Sequence, residues 1–192
     1  MEAGGRGAAC LDTCDVDAYL AIVAKREVRE YLDRPVPAEL LTKILNAGRA
    51  TGSSKNTQPW RFVVLEDPKH RQGLASAVMA PRNLDRCTVA IAVVLLNERF
   101  RFDAGRVAQN MMVAAWAEGI GSCPNSVRPD EHDRMRRDLN VPADAAIATV
   151  ITFGYPAPGQ PRPRRKADPE TILERVNRRP LEELVHRERF TG

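Results

Sequence analysis

The chain reads as an α+β fold, a small sheet with helices around it. Three observations predict this. Helix-patterned segments alternate with only a few strand-patterned ones. Val89 to Leu96 and Ala146 to Phe153 are almost continuously apolar, the pattern of strands buried on both faces. There is no strand-GxGxxG-helix unit and no GxxxxGKS/T, so neither a doubly wound dinucleotide fold nor a phosphate-loop fold is supported.

The 192 residues suffice for one sizeable core and hold no internal repeat. Residues 1–14 read as a disordered leader. Residues 15–192 read as a single domain whose C-terminal arm spans 157–192. No apolar run approaches the roughly 20 residues that span a bilayer, so no membrane partner is expected. Met1 to Cys10 lacks a signal-peptide core, which makes a cytoplasmic location the expectation. Cys10, Cys14, Cys87 and Cys123 form no CxxC and do not cluster with His70, His132 or His186, so no metal site is expected. A net charge of +4 and a pI near 9.1 suit an anionic small ligand.

The first helix is expected from Asp15 to Ala24, with Val16, Tyr19, Leu20 and Val23 on one face. Lys25-Arg26-Glu27-Val28-Arg29-Glu30-Tyr31 follows. Extended, it would point Lys25 and Arg29 to one side, ready for a phosphate; as a helix end, it would form surface ion pairs. Pro37 starts a helix reaching Ala50, with Leu40, Leu41, Ile44, Leu45 and Gly48 as its apolar stripe. Gly52-Ser53-Ser54-Lys55-Asn56-Thr57-Gln58-Pro59-Trp60 is a polar loop, either a plain connection or a wrap for a polar ligand. Trp60 to Leu65 reads as a strand. Pro68 to Met79 reads as a helix, and the break to Val89 leaves little room for another element.

Asp103 to Glu118 is apolar around most of its circumference. It is either a central core helix or a core helix that also packs across a dimer. Gly119 and Gly121 close it. Ser122-Cys123-Pro124-Asn125-Ser126 reads as a second polar loop, and Asp130 to Leu139 as a polar helix anchored by Met135 and Leu139. Pro161 to Lys166 is a Pro/Arg linker and Glu170 to Asn177 a short helix. Leu181, Leu184 and Val185 could dock on a surface. The arginines of this tail read as a nucleic-acid patch or as a solvated face.

Four segments together resemble the nitroreductase family of FMN-dependent oxidoreductases. Lys25 to Tyr31 stands for its Arg-Arg-Ser-x-Arg-x-aromatic pattern, and Gly52 to Trp60 for Pro-Ser-x-x-Asn-x-Gln-Pro-Trp. Ala117-Glu118-Gly119-Ile120-Gly121-Ser122-Cys123 is similar to its Gly-Leu-Gly-Ser/Thr-Cys helix end. Gly154-Tyr155-Pro156-Ala157, then Arg178-Arg179-Pro180-Leu181-Glu182-Glu183-Leu184-Val185, complete the series. The match runs in order from Asp17 to His186. Glu27 departs from it, standing where the family has Ser beside the FMN phosphate. The carboxylate must turn away, pair with a neighbour or alter binding. Gly52 replaces a Pro.

The resemblance implies an intertwined homodimer around a small mixed sheet, with two FMN sites at the interface and the C-terminal arm on the partner. It implies that Lys25, Arg26, Arg29 and Arg178 hold the phosphate and ribityl chain, with Arg179 the weaker of the Arg pair and Arg82 near the ring edge. Ser53, Ser54 and Asn56 would serve the partner's flavin, and Gln58 would fix their loop. Pro124, Asn125 and Ser126 would lie along the ring near N5. The implied activity is ping-pong hydride transfer through N5, from NADH or NADPH to a nitroaromatic, quinone or flavin. No side chain is expected as a catalytic acid or base. Other flavin chemistry in this fold, such as substrate oxidation or dehalogenation, or a non-catalytic flavin- or anion-binding role, are the alternatives. No nucleic-acid partner is expected.

Overall fold

The computed structural model describes residues 17–163 and 167–190. The leader, Asp15, Val16, Cys10, Cys14 and the Arg164 to Lys166 part of the linker lie outside them.

Four strands form one sheet in the order β1-β2-β4-β3: β1 Trp60–Leu65, β2 Val89–Leu95, β3 Gly121–Asn125 and β4 Ala146–Gly154. All three pairings are antiparallel. The α+β class holds, but among the described residues the expected mixed character is confined to one isolated parallel bridge, Glu27 to Ser122. β2 is buried at every position, as its unbroken apolar run demanded.

Period-two alternation sorts β2 between two cores. Ile91, Val93 and Leu95 face helices α2 (Ala38–Arg49) and α5 (Arg101–Ala117). Ala90, Ala92 and Val94 face α3 (Pro68–Ala75), α4 (Pro81–Arg86) and α6 (His132–Asp138). On β4, Ile151 and Phe153 join the first core and Val150 the second. Ile147 breaks that alternation and joins the second core too. A bulge where Val93 pairs Thr149 and Val94 pairs Ile147 inserts the extra residue that turns it over.

α4 fills the short break in which no element was expected. Pro81 starts it, and Leu84 is fully buried beneath it. The segment expected as a second polar loop is β3, because it completes the sheet beside β4 and buries Ser122, Cys123 and Asn125. The first helix, α1 (Ala18–Ala24), buries Leu20, Ala21 and Ala24 and leaves Tyr19 exposed, so its inward face is rotated from the expected one.

α5 packs on the sheet through Ala104, Val107, Ala108, Met111 and Ala115. It crosses α2 at Gly48, where a Cβ would stand 2.8 Å from Met111 Cγ. Its other side is open: Phe102, Gly105, Arg106, Gln109 and Asn110 are exposed, and Val113 and Ala114 half-buried. The arm carries α7 (Pro169–Arg175), capped by Asp168, and α8 (Leu181–Leu184), whose Leu181 and Leu184 are exposed. Among the described residues no helix is long and apolar enough to cross a membrane.

Candidate functional site

Lys25 to Tyr31 is an extended strap laid over β3 and β4, not a helix end. Val28 N–H donates to Ser122 O (3.0 Å), and Tyr31 bridges Pro156. Two glycines make room for it. A Cβ on Gly121 would lie 2.6–2.8 Å from Val28, and one on Gly154 2.8–3.0 Å from Tyr31. The Tyr31 hydroxyl donates to Val28 O (2.6 Å) and meets Thr152 Oγ1 at 2.9 Å. Burial pushes its phenol well above the usual range.

In an extended strap Lys25, Glu27 and Arg29 share a side. Lys25 is occluded, its side chain only 6% exposed. Its Nζ donates to Glu27 Oε1 (2.5 Å) and to Met112 Sδ (3.5 Å). Glu27 therefore pairs with Lys25, within its own strap. Glu27 Oε2 and Ser122 Oγ are buried without a hydrogen-bond partner among the described residues. Burial, then the Glu27 carboxylate, push the Cys123 thiol up. Arg29 is exposed, and its backbone N–H donates to Gln160 Oε1 (3.1 Å).

Arg26 turns the other way. Its guanidinium donates to Val23 O (2.8 Å) and Lys25 O (2.7 Å). Burial and the nearby Arg178 lower its pKa. Both arginines line a cavity of about 710 Å³ under α7, together with Trp116, Arg162, Ile172 and Arg175. Neither has a carboxylate partner among the described residues. Arg179 is exposed and does not line the cavity. Arg82, exposed in the first turn of α4, makes no hydrogen bond or ion pair among the described residues.

The Ser53 loop is tied to the open side of α5. Asn110 Nδ2 donates to Thr51 Oγ1 (2.8 Å), and Arg106 donates to Gly52 O (2.8 Å). A Cβ on Gly52 would sit 3.3 Å from the Arg106 guanidinium, so a bare glycine suits this clasp. Inside the loop, Ser53 Oγ accepts from Gln58 N–H (2.9 Å), and Gln58 Nε2 donates to Asn56 Oδ1 (3.1 Å). Lys55, Asn56 and Gln58 have φ of 51°, 54° and 44°. Asn tolerates that region; for Lys and Gln it costs of order 1–2 kcal/mol each. Ser54 and Asn56 stay exposed.

On β3, Pro124 is exposed and Asn125 buried. Asn83 of α4 donates to Asn125 Oδ1 (2.8 Å), and Asn125 Nδ2 donates to Cys123 O and Val150 O (both 3.0 Å). The Asn125 side chain is thus used inside the protein, and Pro124 faces outward. Ser126 O accepts from Met79 N–H (2.9 Å). Sequence reasoning passed over Asn83, because only the unforeseen α4 carries it into the interior. Pro124 and Met112 border a second cavity of about 520 Å³, with Ala108, Thr149 and His132.

Three of the motif segments thus reach α5: Lys25 at Met112, Thr51 and Gly52 at Asn110 and Arg106, and Arg178 beside Trp116 at the first cavity, while Tyr31 packs on the second core. The nitroreductase family profile matches residues 22–90 and 96–155. The chain belongs to the nitroreductase family. An NADH dehydrogenase from Thermus thermophilus is 29% identical over 182 residues, covering 74% of this chain and 88% of its own. A chloronitrobenzene nitroreductase from Comamonas testosteroni is 25% identical over 188 residues, covering 68% and 83%. The structure of an FMN-dependent nitroreductase from Clostridium difficile superposes with a TM-score of 0.70 at 26% identity, covering 83% of this chain and 96% of that one. The α+β arrangement is the nitroreductase fold.

Proposed function

We propose that this nitroreductase-family protein is a homodimeric, FMN-dependent NAD(P)H oxidoreductase. The observation that carries the reading is the convergence of Arg26 and Arg178, far apart in the chain, at one cavity where the lining carboxylate, Asp168, is engaged in capping α7. Two guanidinium groups held close are matched by a phosphate dianion. The residues present fit the FMN phosphate in charge, and Glu27 does not oppose it, since Lys25 neutralises it.

The positions of the two halves of the site support a dimer. Lys25 touches α5 at Met112, while Thr51 is held by Asn110. Two residues apart on a helix is a turn of about 200°. Within one chain α5 therefore stands between the strap and the Ser53 loop. Pairing two copies through the open side of α5 would bring Ser53, Ser54 and Asn56 of one to the strap of the other. The exposed Leu181 and Leu184 of the arm would then cover the partner.

The chemistry FMN would supply is hydride transfer through its N5, from NADH or NADPH to a small-molecule acceptor such as a nitroaromatic, quinone or flavin. The chain's part is to hold and orient. Arg26 and Arg178 anchor the phosphate, the strained Ser53 loop presents fixed polar groups, and the Asn83–Asn125 bonds hold β3 where Pro124 faces outward. The names of the relatives support this: NADH dehydrogenase, chloronitrobenzene nitroreductase and FMN-dependent nitroreductase. The test is the purified protein's visible spectrum, its mass by sedimentation and its NAD(P)H oxidation with a quinone. A yellow dimer that consumes NADH or NADPH is expected. A colourless chain that FMN cannot reconstitute would overturn the reading.

A further inference from the structure

We propose that His132 sets the preference among electron acceptors, by donating to a quinone oxygen in the second cavity, the slot between α5 and β4. The inference rests on the FMN reading above and names the acceptor class that the slot is built to take.

Two observations carry it. The first is the place and shape of the slot. It holds about 520 Å³ and is bordered by Pro124, along which the FMN reading sets the ring, so an occupant lies beside the flavin. Its α5 wall runs from Arg101 to Met112, a rise of about 16 Å. Ala104, Ala108, Ala146 and Ala148 keep its middle apolar and free of bulky side chains. A flat, fused-ring molecule suits such a space. The second is the state of the polar groups on its lining. Arg101 Nη2 donates to Glu98 Oε2 (2.8 Å), and Thr149 Oγ1 donates to Asn125 O (3.2 Å). His132 makes no hydrogen bond among the described residues, and the adjacent Asp133 is taken by Arg136. The imidazole is therefore left for the occupant, and in either protonation state it carries a donor. The Arg101–Glu98 pair sums to zero charge, so an ionised acceptor finds no uncommitted guanidinium there. A neutral molecule with a strong acceptor oxygen is the match, which a quinone carbonyl supplies and a nitro oxygen supplies weakly. A site with one free donor discriminates against the ligand that leaves it unpaired.

The experiment titrates the full chain, loaded with oxidised FMN, with 1,4-naphthoquinone and with 1-nitronaphthalene, two neutral fused-ring probes. Dissociation constants are read from the change in the flavin spectrum, without turnover. The unaltered protein should bind the quinone more tightly. His132→Phe keeps a flat ring and removes the donor. Its quinone affinity should fall about tenfold, the value of one hydrogen bond, with nitronaphthalene within about twofold of the unaltered protein. His132→Gln restores a donor and should recover part of the loss. Ala148→Leu, at an exposed position of the lining, should narrow the slot and weaken both probes alike. A quinone-to-nitroarene ratio that His132→Phe leaves unchanged overturns the assignment. So does an Ala148→Leu variant that binds both probes as before. Either result, with FMN retained, leaves the flavoprotein reading standing. An unaltered protein that takes up no FMN overturns that reading and this inference together.

Discussion

Cys87 shows how burial at a single residue sets a pH limit. It caps the C-terminal end of α4 with 3% exposure, and its thiol donates to Leu84 O at 3.2 Å. Burial pushes the thiol up to about 12 from an ordinary 9.0. The folded state therefore holds this proton more tightly than the unfolded chain does. That stabilisation is complete below about pH 9 and is lost as pH rises toward 12. Chemical denaturation at stepped pH should show stability falling across this window, and Cys87→Ala should flatten that part of the curve. The native thiol should also resist a disulfide reagent at pH 8 and react only on unfolding. Rapid labelling of native Cys87 would contradict its burial.

Among the elements, the Lys25–Tyr31 strap depends most on what lies beneath it. It has only one backbone hydrogen bond to β3, and its register is set by Val28 dropping over Gly121 and Tyr31 over Gly154. Both glycines have ordinary backbone angles, so clearance is their purpose, not conformational freedom. Gly121→Ala would drive a Cβ to within 2.8 Å of three Val28 atoms. Overpacking of this kind costs roughly 1–3 kcal/mol, and a denaturant midpoint should fall by that equivalent. Lifting Val28 would also shift Arg26 on the same strap, so flavin affinity should fall with stability. Gly73→Ala is the control, because no atom lies within 4 Å of its added Cβ. Equal losses in the two variants would show that strap clearance is not the cause.

For the whole molecule, the open side of α5 is the feature that a single chain leaves unresolved. Ala114→Arg places a charge at a half-buried position of that stripe. Sedimentation should then give the 21.3-kDa chain instead of twice that mass, with unchanged far-UV circular dichroism and no retained flavin. A dimer that persists in this variant would place the interface elsewhere. Much of this organisation was legible in the residues. β1 and β2 were readable because continuous or alternating apolar runs have few other uses, and α2 because its stripe has a 3.6-residue period. The four motifs marked the family resemblance that the profile match bears out. Other features depended on partners distant in the chain. Nothing local says that Ser122 to Asn125 pairs with β4, that α4 fits between Ala80 and Cys87, or that the inward face of α1 is turned. Glu27 is the clearest case. From sequence its carboxylate could oppose a phosphate, turn away or pair. Only the packing of Lys25 against Met112 decided the matter, because burying an ammonium makes the neighbouring carboxylate its necessary partner.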